Sequence, residues 1–454
     1  MMRSFICLCL LTCPISLAAD DAVSFRRDIA PILLVQCQAC HGPKQAEGGY
    51  RVDTFAHVMD AGDSEVSPFT AEKVDESEVF RRITSTDEDE RMPAESDPLD
   101  KSQIDLIRRW IAQGAKYDGD DHNATLASII PAPQHPAPPE AYPFPVPITA
   151  IAFREGKNGR ELLASGYHEI TAWNPDDGAL LRRITNQGQR TYGLSLSPDG
   201  KLLAAAGGTP GSLGEVRLFD PASGELLRVV ASATDVVLDV AFSPDGKRLA
   251  AGTAENRLIV CDVATGQLLH EITSHSDWVN AVAWRDDGKQ IAGASRDKTA
   301  KVFDATTGEL AITYNDHDAN VLGVAFHPDG KQVYSSDARG RIQRWKIVDG
   351  KKSGDVTSAG DDVFRLSVHG DRVLTGSANG SAYLVHRPSG KVIRKFDAHD
   401  KSLLSTTMSA DGMTIATGAQ DGTISLWNAE TGERVLSFIA APGYQARNAQ
   451  GDRR

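Results

Sequence analysis

The sequence predicts two domains of different class, a small all-α head followed by an all-β propeller of seven blades. Three observations predict it. Residues 20–119 carry apolar positions at helical spacing. Eight of the seventeen residues from Pro131 to Pro147 are proline. Beyond them, glycine turns recur at a near-constant interval to the end of the chain.

The first element is a leader. Arg3 is the only charge in residues 1–19, Phe5 to Leu17 is apolar, and Ser16-Leu17-Ala18-Ala19 supplies small residues for cleavage. This reads as a secretory signal peptide, too short to span a bilayer. No later stretch has about eighteen consecutive apolar residues. The expectation is an exported, periplasmic chain without a transmembrane segment. Of the six cysteines, Cys7, Cys9 and Cys13 leave with the leader.

In the head, Ser24 is placed to cap a helix running toward Cys37, with Phe25, Ile29, Ile32 and Leu33 on one face. Asp100-Lys101-Ser102-Gln103 reads as a capping box. Ile104, Ile107, Trp110 and Ile111 follow at helical spacing, and Gly114 stops that helix. Cys37-Gln38-Ala39-Cys40-His41 is the chemical signal. Two thiols two residues apart, followed at once by His, are a c-type haem attachment site. Zinc needs four ligands, and there is no second Cys pair to complete such a site. The expectation is one covalent haem c on Cys37 and Cys40, with His41 as proximal ligand to the iron. Cys261 is left alone within a strand pattern, as a small buried hydrophobe.

The sixth ligand must come from elsewhere. Met92 is the candidate, in a loop before the final helix of the head. A thioether there raises the reduction potential relative to a second His. Met59 and His57 are the rivals. Only Met59, Met92, Met408 and Met413 remain once the leader is removed.

Residues 120–147 read as a linker, an extended polyproline spacer that cannot enter a central strand. Over residues 148–440, turn glycines fall at Gly178, Gly224, Gly266, Gly308, Gly350, Gly390 and Gly432. A period of about 40–45 residues with four short apolar runs means one propeller blade per repeat. Residues 441–454 form a polar tail.

These repeats resemble the WD-repeat family. Its dipeptide appears as Trp173-Asn174, Phe219-Asp220, Cys261-Asp262, Phe303-Asp304, Trp345-Lys346 and Trp427-Asn428, decaying to Val385-His386. The family's structural His matches His275, His317 and His399, and its Asp matches Asp297 and Asp421. His327 and His369 precede turns, where exposure is expected. In the head, Cys37 through Pro43, Arg91-Met92-Pro93, Pro98-Leu99 and Trp110 through Ala115 resemble the planctomycete-type cytochrome c domain. That resemblance implies haem binding and electron transfer over about residues 24–117. It names no substrate.

Charge narrows the partners. The chain carries a net charge of −13. Residues 20–120 hold 22 acids against 12 bases, which argues against nucleic acid and anionic membranes. A basic redox partner fits this head, with Asp87 to Glu90 as a docking patch or a solvated face. The propeller reads as a platform for a protein partner, and no catalytic residue is assigned. Two other functions stay open. A haem-dependent oxidoreductase with its active site in the propeller channel would need ligands for a second haem. A redox or gas sensor would want an open sixth site.

Overall fold

The computed structural model describes residues 22–43, 45–94, 96–157 and 159–445. The expected leader and residues 446–454 of the tail lie outside the described residues. The chain divides into two compact units that adjoin in sequence at Pro131 and Ala132.

The first unit has short helices joined by long turn-rich loops, so its helical content is lower than an all-α head implies. A π-helical turn over Phe25–Ile29 leads into α1, Ala30–Gln36. Ser24 caps it as expected: its Oγ accepts from Arg27 N at 3.0 Å, and its own N–H donates to Asp28 at 2.9 Å. Three more helices build the frame: α2, Phe55–Val58; α3, Glu78–Ile83; and α4, Lys101–Ala112. The capping box that opens α4 is formed, with Gln103 N donating to Asp100 Oδ1 at 2.9 Å and Asp100 N to Gln103 Oε1 at 3.1 Å. Gly114 ends that helix at φ 101°, a value that other residues rarely adopt. Phe25 is the centre of the core. Its ring meets Phe55 edge-on at 4.8 Å and Trp110 at 5.3 Å, and Phe69 meets Trp110 at 5.1 Å.

The expected spacer over 120–147 is instead divided between the two units. Helix α5, Leu126–Ile129, belongs to the first. Leu126 is fully buried in its core, and Leu126 N donates to Asp53 O at 2.9 Å. From Ala132 onward the chain is a strap bound to the second unit. Proline lacks the N–H needed to join a ladder, but its carbonyls still accept. Arg217 Nη2 donates to Pro133 O and Arg183 Nη2 to Pro139 O, both at 2.6 Å. Tyr142 OH donates to the buried Glu169 at 2.6 Å.

The second unit is a propeller of seven four-stranded antiparallel sheets, each built from contiguous sequence. The blades span residues 151–184, 190–233, 237–272, 279–314, 321–358, 367–397 and 403–439. As expected, residues 142–147 donate no strand to the last blade. The seven turn glycines all have φ between 63° and 81°. The repeat dipeptide has a mechanical meaning. In every blade the pairing of the third and fourth strands slips at its first residue: Trp173, Phe219, Cys261, Phe303, Trp345, Val385 and Trp427. Such a bulge bends the strand toward its turn. The second residue then closes the turn where it is Asp or Asn. Asp262 Oδ1 accepts from Thr265 N at 2.8 Å, and Asn428 Oδ1 accepts from Thr431 N at 2.8 Å.

The expected histidines knit the blades, with differences. His317 Nδ1 lies 2.7 Å from Asp337, its Nε2 2.7 Å from Ser335 Oγ, and Trp345 Nε1 donates to that hydroxyl at 3.1 Å. His399 reaches Thr417 at 2.9 Å, and Trp427 donates to the same hydroxyl at 3.0 Å. His275 pairs with Asp297 at 2.9 Å, but its Nε2 is buried without a partner. Gly293 and Phe303 stand in that blade where a hydroxyl and an indole serve the others. His327 and His369 depart from expectation: His327 directly follows the inner strand of its blade and is buried, and His369 ends the next inner strand and lines the propeller channel. His327 is 8% exposed, with Nε2 2.9 Å from Pro388 O on the next blade.

Candidate haem site

The site begins at the end of α1. Cys37 N donates to Leu33 O at 3.1 Å, and His41 N donates to Cys37 O at 3.0 Å, so the motif winds on as one more turn. Gly42 must follow it, since a Cβ there would stand 2.5 Å from Gln38 O. His41 is then fixed from outside the turn: Val52 N donates to its carbonyl at 2.8 Å.

A cavity of about 240 Å³ opens beside this turn. Cys37, His41 and Met92 all line it, with Leu33, Val52, Val66, Val79 and Ile83 as apolar wall. Tyr50 completes one side. Its ring meets the His41 imidazole edge-on at 5.4 Å, and its OH donates to Val58 O at 3.0 Å. Burial pushes this phenol well above its usual range. His41 Nδ1 lies 3.3 Å from Tyr50 O. A ligating imidazole is usually held in this way, with one nitrogen on a backbone carbonyl and the other free for the metal.

Cys40 is exposed and is not part of the cavity wall. Burial pushes the Cys37 thiol up to about 12, with Cys40 adding to the shift. A reactive redox pair needs a depressed thiol, so this environment does not suit one.

Met92 reaches the cavity from the loop between α3 and α4. Its N–H donates to Arg82 O at 3.2 Å, which fixes it to the end of α3. The rivals are elsewhere. Met59 packs against the same core as Met92 but does not line the cavity. His57 Nδ1 sits 3.0 Å from Thr54 Oγ1 and 3.1 Å from Asp53, beside a separate cleft. Glu78 and Arg82 bring charge to the cavity wall. Arg81 first, then Arg82, holds Glu78 down to about 2.

An apolar cavity with an imidazole held for coordination, a thioether and an attachable thiol suits a haem. Residues 37–96 match the family model described as planctomycete cytochrome C. The chain joins a planctomycete-type cytochrome c segment to a seven-bladed propeller. The cytochrome segment so defined contains Cys37, Cys40, His41 and Met92. Residues 212–437 match a propeller family model described as outer membrane protein assembly factor BamB. No curated protein is detectably similar to the chain. Among solved structures, a crystal structure of the computationally designed Ika8 protein (crystal packing No.1 in P63) is 24% identical. It covers 66% of this chain and 88% of its own, with a TM-score of 0.52, a likeness of fold alone.

The propeller holds a second cavity, about 550 Å³, in its channel. Arg365, in the segment leading into the sixth blade, crosses it to Asp239 of the third at 3.1 Å, donating also to Tyr192 O and Leu238 O. His369 lines the same cavity, with Nε2 buried and unpartnered. Sequence reasoning missed Arg365 and Asp239, since nothing in the repeat pattern marks residues of two distant blades as neighbours. Among the described residues, no three of His, Cys, Asp or Glu are grouped as a metal site. No helix among them is long and apolar enough to cross a membrane.

Proposed function

We propose that the protein is an exported c-type cytochrome that carries electrons, with a WD-repeat-like propeller as its docking platform. One observation carries the reading: Cys37, His41 and Met92 line one cavity, with the His41 ring already oriented by Tyr50. Cys37 and Cys40 would anchor the haem, and His41 and Met92 would take its two axial positions. The haem iron supplies a one-electron couple when bound. The chain's residues do the rest. The valine, leucine and isoleucine wall keeps water from the site, and the Tyr50 carbonyl keeps the His41 Nδ1 proton. The Met92 sulfur favours the reduced state relative to a second imidazole. No catalytic residue is assigned.

The hydrogen-bonded His317 and His399 networks support the WD-repeat reading of the blades. The acidity of the head favours a basic redox partner. Mass spectrometry of the matured protein after acid-acetone extraction tests the first part, and haem should remain on the chain. Complete extraction would remove the reading.

The match to a second propeller family and the Arg365–Asp239 pair in the channel favour one other reading, an enzyme that works in the propeller. Haem per chain separates the two. One haem supports the carrier, and a second haem bound by residues 132–445 supports the enzyme.

A further inference from the structure

We propose that Arg81 is a positioning residue for Met92, stapling the loop that carries this ligand to α3 through Glu90. The inference rests on Met92 as the sixth ligand. The described residues of that loop, between Thr84 and Asp100, have no regular structure. Its backbone is held at few points, among them Met92 N to Arg82 O and Arg91 N to Asp87 O at 2.9 Å.

The side chains add a bridge. Arg81 Nη1 donates to Glu90 Oε2 at 2.7 Å, two residues before Met92. The rest of the same guanidinium grips Glu78 with two bonds of 2.9 Å. Glu78 also takes Arg82 Nε at 2.7 Å, and both Glu78 and Arg82 form cavity wall. The loop is therefore tied to the wall that Met92 faces. The planar fork grips Glu78 with two bonds while its remaining arm reaches Glu90, a fixed geometry that the point charge of a lysine does not reproduce. This gives the Asp87–Glu90 run a role that is neither a bare solvated face nor a docking patch.

Arg81 and Glu90 are 46% and 51% exposed. Salt screens such a pair, and its strength is modest. The consequence is specific: ionic strength sets how readily the loop opens and lets an external ligand displace Met92.

The test is an imidazole titration of the oxidised, haem-loaded full-length protein, read by the far-red iron–sulfur band. Arg81→Gln and Glu90→Gln should each tighten imidazole binding about two- to fivefold, the strength of an exposed ion pair. The double variant should do no more than Arg81→Gln alone, because that change already removes the bridge to Glu90. Imidazole affinity of the native protein should rise with salt, and that of the variants should not. Haem content per chain confirms that each variant is loaded. Affinities and salt responses equal to the native protein's, in a band that Met92→Ala abolishes, would overturn the staple alone. A Met92→Ala protein that keeps the band would overturn the ligand assignment and the staple with it.

Discussion

His135 Nε2 lies 2.7 Å from Glu215 Oε2, with side chains only 7% and 3% exposed. Arg217, fully buried, completes the cluster through Glu215 at 2.8 Å. These charges are shielded by the strap, so the strap is part of the propeller fold. A propeller begun at residue 148 should aggregate or melt far below one begun at 132. In the full chain, Arg217→Leu leaves Glu215 half-paired in the interior, at a cost of about 3–5 kcal/mol. Urea midpoints of the two proteins check this. An unchanged midpoint would show that the strap is decoration.

The head has the matching requirement at its other end. Leu126 is fully buried and Ile129 is 7% exposed, and both pack beside α1. Cutting at residue 119 removes both, at about 1.5–3 kcal/mol for each buried side chain. A head of residues 22–131 should hold haem and melt cooperatively, and one of 22–119 should melt at a clearly lower temperature. Circular dichroism melts of the two make the comparison.

Met92→Ala should abolish the far-red band of the oxidised protein and shift its potential, since axial ligation is a main determinant. His57→Asn and Met59→Leu should leave both unchanged, because neither side chain lines the cavity. Optical spectra and redox titrations of the three variants decide between the candidates.

Much of this was legible because short-range chemistry carried it. The glycine period located each blade, and Ser24 and Asp100 announced their helices by the donors they satisfy. Cys37-x-x-Cys40-His41 is local as well, and it carries the proposed first ligand with it. The orientation of His41 was not legible. The residue that accepts from Nδ1 is Tyr50, and it does so with a carbonyl that any residue would provide. The Asp337 network was hidden for another reason. Asp337 stands two positions earlier in its repeat than Asp297 does in the preceding one, yet its carboxylate still reaches Nδ1 of His317. The strap was misjudged because proline content predicts a backbone that cannot pair. It does not predict that arginines elsewhere take its carbonyls.

The histidine networks should differ in strength. His317 has partners on both nitrogens, and its buried side chain lies against Tyr314, whose ring stacks on Trp345 at 5.0 Å. His275 has one satisfied nitrogen and one orphan. A buried hydrogen bond contributes about 0.5–1.5 kcal/mol net. His317→Ala removes two, from Asp337 and Ser335, which keep Arg341 and Trp345 as partners; His275→Ala removes one, from Asp297, which keeps Ser276 and Thr299. The first should therefore lower the urea midpoint more than the second. Equal losses would show that volume, not hydrogen bonding, sets the cost.

The channel makes a prediction about pH. Burial lowers His369 to about 4, because its imidazole cannot easily take a proton in the wall of the cavity. In the unfolded chain the same group takes a proton near 6.5. Below that value the unfolded state binds a proton that the folded state refuses. His369 thus contributes stability that is fully present above about 6.5 and is lost as pH falls toward about 4. The loss is about 1.4 kcal/mol per pH unit across that window, on the order of 3 kcal/mol in all. Burial also lowers His275 and His399, so the native propeller sums several such slopes. Burial raises Asp337, but the His317 hydrogen bond and its other donors outweigh it and bring the carboxyl to about 2, so its own loss comes only in stronger acid. His369→Leu should remove one proton's worth of slope between the two limits and leave the rest. Urea unfolding followed across that range measures it directly. A variant with the native pH dependence would mean that the imidazole takes its proton without opening the channel wall.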